Sequence, residues 1–388
     1  MDCMAGEVRL RYSGFILFLS RLFSVGTGLL FSLMVTRNLS AEDFGVYGNI
    51  TDVLSYFGLA ATIFPFWAAR FVARKHPGSS VTGLTANLLI SLPFCLAYLI
   101  VLPTIMSAFG IGGNYVVVYV IVAAEILELY LVAAFEAILQ AGKPQALGFG
   151  FLVFELTKLL FGFVLIMQLG LGLLGTIASI ISAFVFQLVF YLKLVAPELH
   201  EGIRWDYVKE WLKASFLNLY GIAGQRLLAL TNILLFVYGG ELARAYYGAA
   251  FTIAGVIGYS SFLAYALYPR LLSERRSEDV PVSLKMVLTF AIPMTIGAIV
   301  LSEPFLIILN PVYVAARLAL MLLSLNSLCL TLSSVSDAVI GGTEELDAKA
   351  RISYRDITRS RLFLNLTLPY VQAAVIVPLT YVVTTSVA

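Results

Sequence analysis

Long apolar stretches constrain the fold of this chain more than any other feature of its sequence. Eleven of them carry few charges, and each is long enough to cross a bilayer core, which takes about 20 helical residues at a rise of about 1.5 Å. Because lipid offers no hydrogen-bond partners to backbone N–H and C=O groups, we expect each stretch to be a helix. The predicted spans, numbered 1 to 11, cover residues 12–36, 44–69, 82–108, 115–140, 146–168, 171–194, 214–238, 245–268, 282–309, 312–340 and 362–387.

The composition supports the same interpretation. Hydrophobic residues make up 60% of the 388 residues and charged residues only 12%, whereas about a quarter of the residues in soluble domains are charged. The sequence therefore predicts an all-α polytopic membrane protein with eleven transmembrane helices, and it excludes an ordinary soluble domain.

Basic residues are distributed unevenly among the predicted loops. Of the 25 Lys and Arg residues, 19 lie in the N-terminal segment or near the ends of even-numbered spans, and three, Arg37, Arg244 and Arg317, lie in the opposite loops. The positive-inside rule then places the N-terminus in the cytoplasm, and an odd number of spans places the C-terminus outside. We expect a multi-pass protein of the cell membrane in this orientation.

An internal repeat relates the two halves of the chain. Four landmarks recur at a spacing of about 200 residues, as expected for a transporter built from two similar bundles. Since an even number of spans separates the copies, the halves share an orientation and are expected to face a central cavity. We predict a six-helix N-terminal lobe at 1–195, a cytoplasmic linker at 196–213 and a shortened C-terminal lobe at 214–388. The paired landmarks are 39–45 with 242–248, Arg70 with Arg270, Pro93 with Pro293, and Asn114 with Asn310.

The linker predicted at 196–213 has an amphipathic pattern. Its apolar and aromatic residues can face lipid headgroups while its charges face water. An ordinary connecting segment explains the same residues equally well, so both interpretations stay open from sequence alone. The residues expected on the lipid side are Ile203, Trp205, Tyr207, Val208 and Trp211.

Three cationic residues, Arg21, Lys158 and Arg226, lie inside predicted spans. An ionisable group there costs about 3 kcal/mol and normally faces a bundle interior or water. Arg21 and Arg226 are 205 residues apart, close to the repeat spacing, so we expect both guanidinium groups to face one cavity and bind a phosphate or pyrophosphate. Snorkelling to the headgroups is the alternative for Arg21. Lys158 and Gln225 complete the predicted substrate-binding set.

Acidic residues also lie inside the predicted spans. Glu125, Glu128 and Glu136 of span 4 fall within an arc of about 80° on one helix face. They can bind a coupling proton or sodium ion, or they can be structural partners of the intramembrane cations, and both interpretations stay open. Glu155 can also pair with Lys158, three residues further on. The predicted ion-coupling set is Glu125, Glu128, Glu136, Glu155, Asp52 and Asp337.

Several stretches carry a family resemblance. VTRNLSAEDFGVYGNI follows span 1, VKEWLKASFLNLYGIAGQ opens the second half, and ALYPRLLSE ends span 8. With NPVYVAARLALMLLSLNSLCLTLSSVSDAVIGGTEE across span 10, they resemble the polysaccharide and oligosaccharide-lipid flippases of the multidrug/oligosaccharidyl-lipid/polysaccharide exporter superfamily. The resemblance implies a V-shaped pair of six-helix lobes working by alternating access, from which this chain departs by having eleven predicted spans.

The same resemblance implies a function and its partners. The expected substrate is an oligosaccharide linked to polyprenyl phosphate or pyrophosphate, which the protein flips across the membrane for polysaccharide or glycan biosynthesis. Coupling to H⁺ or Na⁺ stays open, and membrane lipids are the other expected partner. A multidrug and toxin extruder taking cationic substrates is the main alternative, although the arginines in the spans argue against it. A membrane-embedded glycan polymerase has less support, because the outer loops are short.

The sequence lacks the residues that metal binding, disulfide bonding and ATP hydrolysis need. Cys3, Cys95 and Cys329 are scattered and the only histidines are His76 and His200, which argues against a metal site or a disulfide framework. The sequence has no Gly-x-x-x-x-Gly-Lys-Ser/Thr loop, so we do not expect ATP to drive the protein directly. We therefore expect a non-enzyme without cofactors, a monomer, and no nucleic-acid partner.

Overall fold

A computed structural model of the chain describes residues 20, 23–264, 279–343 and 361–387, and the regular structure in these ranges is helical. Eight helical segments there are long and apolar enough to cross a membrane, which confirms the all-α polytopic prediction. The helices are α1 (23–38), α2 (Ala41–Phe57), α3 (Ile63–Ala73), α4 (Ser79–Ala108), α5 (Val116–Ile121), α6 (Ala123–Gly142), α7 (Gln145–Gly162), α8 (Gly172–Val195), α9 (Trp205–Ala214), α10 (Phe216–Gly258), α11 (Asp279–Val300), α12 (Ser302–Leu309), α13 (Arg317–Thr343) and α14 (Arg361–Val387).

Span 2 is not the continuous helix predicted at 44–69. Helix α2 ends at Phe57, five residues form turns, and α3 begins at Ile63. Pro65 lies in the first turn of α3; a proline has no N–H to donate and its ring collides with the carbonyl four residues earlier. One hydrogen bond of the helical ladder is therefore missing at this position, and the span divides here into two shorter helices.

Buried side chains satisfy the backbone groups that this break releases. The Asn87 amide donates to the Ala61 carbonyl at 3.0 Å, and the Tyr130 hydroxyl donates to the Phe57 carbonyl at 2.9 Å. The backbone N–H of Gly58 closes the last turn of α2 on the Leu54 carbonyl. Non-helical backbone at membrane depth is stable only where protein or water supplies such partners, so Asn87 and Tyr130 stabilise the interruption.

Spans 7 and 8 join at a single residue, not at the predicted loop of 239–244. Helical structure runs from Phe216 to Gly258, and Gly240 alone leaves it, with φ 75° and ψ −178°. Glycine adopts this conformation because it has no Cβ. Span 9 is interrupted similarly at Leu301, between α11 and α12, where Pro304 in the first turn of α12 again removes a hydrogen bond of the ladder.

The two faces of α4 differ as expected for a helix at a lipid boundary. Leu92, Leu96 and Ile100 repeat every four residues and are 50%, 59% and 68% exposed. Asn87 and Ser91, on the other side, are completely buried. An aliphatic outside and a polar inside are the reverse of a soluble helix, so the exposed row is the surface that α4 presents to lipid.

The chain divides into two compact units, 1–226 and 227–388, with the boundary inside α10. In the N-terminal unit, α6 is central and packs against α3, α4 and α8. In the C-terminal unit, α11 packs against α13, which also contacts α12 and α14. The internal repeat and the lobe limits at 195 and 213 stay predictions.

The linker has only part of its predicted aromatic row exposed. Trp211 is completely buried, and its ring lies 5.3 Å from that of Phe71 on α3, edge to face. Tyr207 is half-buried and its ring is 5.0 Å from the same phenylalanine. Trp205 and Ile203 stay exposed. The prediction that all five residues face headgroups is therefore wrong for Trp211, which packs into the N-terminal unit.

Gly150→Ala is expected to destabilise the N-terminal unit by about 1–3 kcal/mol, the usual cost of overpacking. A Cβ at Gly150 would collide with the ring of Tyr191, and this tyrosine is completely buried, which leaves its ring little room to move. The apparent unfolding temperature in detergent measures the effect. Gly255→Ala is the control, because a Cβ there meets nothing within 4 Å. Equal stability of both variants would contradict the tight contact.

Candidate functional site

Two buried carboxyl groups form the centre of the candidate site. Glu125 and Glu128 lie three residues apart on α6, and each is only 6% exposed. Within the described residues, Oε1 of Glu125 and Oε2 of Glu128 have no hydrogen-bond partner. A carboxylate oxygen that is buried without a partner is costly in such surroundings, so a bound proton or cation would stabilise this arrangement.

Two contacts between α4 and α6 bracket these carboxyl groups. The Asn87 amide donates to the Tyr130 carbonyl, and the Cys95 thiol lies 3.6 Å from the Ala123 carbonyl. Glu125 and Glu128 therefore lie on the stretch of α6 between the two contacts. Asn87 is completely buried, and its Oδ1 has no partner in the described part of the chain. Carboxylate and amide oxygens are the ligands that hard cations prefer.

A buried hydrogen-bond chain links three helices near this stretch. The Tyr98 hydroxyl on α4 donates to the Tyr119 carbonyl at 2.7 Å, and the Tyr119 hydroxyl on α5 donates to Asn49 Oδ1 at 2.6 Å. Asn49 belongs to α2 and is completely buried. These hydrogen bonds rigidify the polar interior beside the part of α2 that precedes the end of that helix at Phe57.

Glu155 and Lys158 on α7 form the predicted ion pair. Lys158 Nζ lies 2.9 Å from Glu155 Oε2, and the two side chains are only 11% and 8% exposed. On α1, Thr27 donates to Oε2 at 2.7 Å and Ser24 to Oε1 at 2.9 Å. The pairing prediction is confirmed. Lys158, which is predicted to bind substrate, pairs with a carboxylate whose two oxygens both have partners.

Of the two arginines predicted to bind substrate, Arg226 lies within the described residues and Arg21 does not. Arg226 is half-buried in α10, and its Nε is buried without a hydrogen-bond partner among the residues described. The Tyr56 hydroxyl donates to the Arg226 backbone carbonyl at 3.0 Å, which fixes this turn of α10 against α2. Gln225 is exposed.

The remaining predicted acids have different surroundings. Glu136 is half-buried and accepts a hydrogen bond from the Tyr191 hydroxyl at 3.4 Å, toward α8. Asp52 is 9% exposed on α2. Asp337 is exposed on α13 and accepts from the Asn365 amide of α14 at 3.0 Å. Of the six predicted ion-coupling residues, only Glu125 and Glu128 have a buried side-chain oxygen without a hydrogen-bond partner within the described ranges.

Sequence reasoning missed the neutral polar residues of the interior. Asn49 and Asn87 lie inside predicted apolar spans, and that position is itself a signal, because an amide in lipid must find partners within the protein. Ser24 and Thr27 are common in membrane helices and gave no such signal. The residues that join the predicted set are Ser24, Thr27, Asn49, Asn87, Tyr98 and Tyr119.

Solved structures share this fold across nearly the whole chain. An inward-facing multidrug resistance MATE family transporter of the MOP superfamily matches with a TM-score of 0.64 and 12% identity over 93% of each chain. An outward-facing structure of such a transporter matches with a TM-score of 0.55 and 14% identity, over 97% of this chain and 93% of that one.

A third structure is a MOP superfamily transporter from Pyrococcus furiosus, for which a reversed polarity of the binding pocket suggests a different function. It matches with a TM-score of 0.54 and 15% identity, over 98% of this chain and 92% of that one. At the level of sequence, no family profile and no curated protein matches the chain. The comparisons show that this chain has the fold of MOP-superfamily transporters.

Proposed function

We propose that this protein is a membrane transporter that flips an oligosaccharide linked to polyprenyl phosphate or pyrophosphate, driven by a proton or sodium ion. Its fold, shared with MOP-superfamily transporters over more than nine-tenths of the chain, supports the transporter class. One observation supports the proposed substrate class: the Nε of Arg226 is buried and has no hydrogen-bond partner among the described residues.

Arg226 suits an anionic substrate. A guanidinium group cannot lose its charge in a protein and presents N–H donors in a planar fork that matches phosphate oxygens. Keeping such a group in a membrane span costs about 3 kcal/mol, which a bound phosphate offsets through charge-assisted hydrogen bonds. The repeat that pairs Arg226 with Arg21 in sequence adds a second cation for a pyrophosphate.

Glu125 and Glu128 suit the coupling ion and not the substrate. Both are 6% exposed, which is too enclosed for a drug-sized cation but sufficient for a proton or a dehydrated sodium ion. We assign the two carboxyl groups to ion coupling and Arg226 to the substrate. The acidic residues and the cationic residue thus have separate roles, because the first bind the coupling ion and the second binds the substrate.

Multidrug extrusion is the second candidate, because two of the matching structures are multidrug resistance transporters. The reversed pocket polarity of the Pyrococcus furiosus protein supports pockets of either sign in this fold. Arg226 supports the proposal of an anionic substrate, because it would repel a cation.

A reconstituted flipping assay tests the proposal. Proteoliposomes with a fluorescent isoprenoid pyrophosphate-linked sugar report flipping as the fraction that becomes protected from an external reductant. Arg226→Ala is expected to slow flipping about tenfold to a hundredfold, because a hydrogen bond to a charged group contributes about 1.5–3 kcal/mol. Arg226→Lys is expected to retain part of the rate, since it keeps the charge but loses the planar fork.

Arg317→Ala is the matched control. Arg317 is an exposed arginine, 3.4 Å from Glu303, and its side chain is 52% accessible, so its loss leaves flipping unchanged. Wild-type flipping by Arg226→Ala at equal protein levels would refute the role of Arg226. Transport of a cationic dye, with no flipping of the pyrophosphate lipid, would decide for drug extrusion.

A further inference from the structure

The segment between α8 and α10 is fastened to the N-terminal unit at the start of α4. The Glu201 carboxylate accepts from the backbone N–H of Gly78, the N-cap of α4. The Glu198 carboxylate accepts from the Ser80 hydroxyl at 2.8 Å. Carboxylates are stabilised at a helix N-terminus, where N–H groups lack partners and the dipole is positive. Two linker acids are thereby stabilised by hydrogen bonds from α4.

Three further contacts hold the rest of the linker in place. The backbone N–H of Arg204 donates to the Thr82 hydroxyl at 2.9 Å, and Trp67 Nε1 donates to the Ser215 hydroxyl at 3.0 Å. Trp211 is buried between them along the chain, close to Phe71. The linker therefore presents a fixed outer surface, because its orientation is set at both ends and in the middle.

The outer surface of α9 is apolar. At about 100° per residue, Trp205, Val208 and Leu212 share one side of the helix, while Tyr207 and Trp211 share the side toward α3. Trp205 and Leu212 are each 51% exposed, and Ile203 just before the helix is 40% exposed. The helix ends at Ala214, and the membrane helix α10 begins at Phe216. This exposed row consequently lies at the level where a span enters the bilayer.

Basic side chains surround the exposed row. Among the described residues, five exposed cations of α9 and of the neighbouring end of α3 make no ion pair, whereas two of the linker acids are engaged with α4. Asp206 and Glu210 lie on the water side of α9, away from Trp205. The surface beside the apolar row is therefore positive. The cations are Arg70, Arg74, Lys75, Arg204 and Lys209.

We propose that this surface, Ile203, Trp205 and Leu212 with the five flanking cations, binds the anionic headgroups of phospholipids in the adjacent leaflet. Tryptophan favours the headgroup level, where its ring is half in apolar surroundings. Basic residues beside an interfacial helix attract anionic lipids. Because the linker is fixed to the N-terminal unit, the bound lipids belong to the surroundings of that unit, whatever substrate the protein carries.

Tryptophan quenching in nanodiscs tests the binding. The chain has three tryptophans, so the emission lost in Trp205→Phe identifies the contribution of Trp205. Dibrominated phosphatidylglycerol at one-fifth of the lipid is expected to quench that contribution at least about twofold more than the same fraction of dibrominated phosphatidylcholine, because the cations concentrate anionic lipid around the ring. Raising the salt to about 1 M, where the Debye length is about 3 Å, is expected to abolish the difference.

A second experiment removes positive charges from the proposed lipid-binding surface. Arg70→Gln/Arg74→Gln/Arg204→Gln is expected to reduce quenching by the anionic lipid to the level of the zwitterionic lipid, and Arg317→Gln to leave it unchanged. Equal quenching by both lipids in the wild type, or no quenching of Trp205, would overturn the proposal. If the triple variant does not fold, the salt series on the wild type decides, and a preference that persists in high salt overturns the proposal.

Discussion

Glu125→Gln and Glu128→Gln, made separately, are each expected to lower ion-driven transport at least about tenfold while leaving the protein as stable as the wild type or more stable. An amide keeps the size of the carboxyl group but cannot gain or lose a proton, so coupling through that position stops. A neutral amide also removes the cost of a buried negative charge. Flipping under an imposed pH or sodium gradient and the apparent unfolding temperature measure the two effects.

Opposite changes in activity and stability distinguish a functional carboxyl group from a structural one. If Glu125 and Glu128 only supported the fold, their replacement would lower both quantities together. Glu210→Gln is the matched control, because Glu210 is an exposed carboxylate of α9 and its loss leaves both quantities unchanged. Full ion-driven transport by both single variants and by the double variant would contradict the coupling role.

The positions of the spans were predictable because they depend on hydropathy alone. The interruptions were not: the sequence shows Pro65, Gly58 and Gly240, but prolines and glycines are also common in continuous membrane helices. Whether Pro65 interrupts a span depends on partners for the freed carbonyls, and these come from Asn87 and Tyr130, on other helices. The tertiary structure therefore decides a feature that looks local in the sequence.

In the candidate site too, helical periodicity predicts which residues share a face, whereas tertiary packing determines the environment of each residue. Helical spacing placed Glu125, Glu128 and Glu136 on one face, but only the packing of α6 separates their environments. Glu136 contacts Tyr191 of α8, whereas Glu125 and Glu128 keep oxygens without partners among the described residues. Spacing alone was sufficient for Glu155 and Lys158, because a pair three residues apart needs only its own helix to form.

Removing one partner of this pair, by Glu155→Leu, is expected to destabilise the N-terminal unit by about 3–5 kcal/mol, the typical cost of leaving a buried charge alone. Among the described residues, Lys158 would be left with the rings of Phe31 and Phe154, at 5.3 Å and 5.0 Å from its Nζ. Lys158→Met is expected to cost less, since the hydroxyls of Ser24 and Thr27 still donate to the carboxylate. Apparent unfolding temperatures at a fixed scan rate give the order of the variants.

The double variant Glu155→Leu/Lys158→Met completes the cycle and separates structure from transport. Replacing a whole buried ion pair by apolar residues of similar volume is often neutral or stabilising, so this variant should melt near the wild-type temperature, well above Glu155→Leu. A double variant as unstable as the sum of both singles would show that the two residues act independently. Wild-type flipping by the stable double variant would remove Lys158 from the substrate-binding set and Glu155 from the ion-coupling set, whereas lost flipping at normal stability would show that transport needs at least one of the two residues.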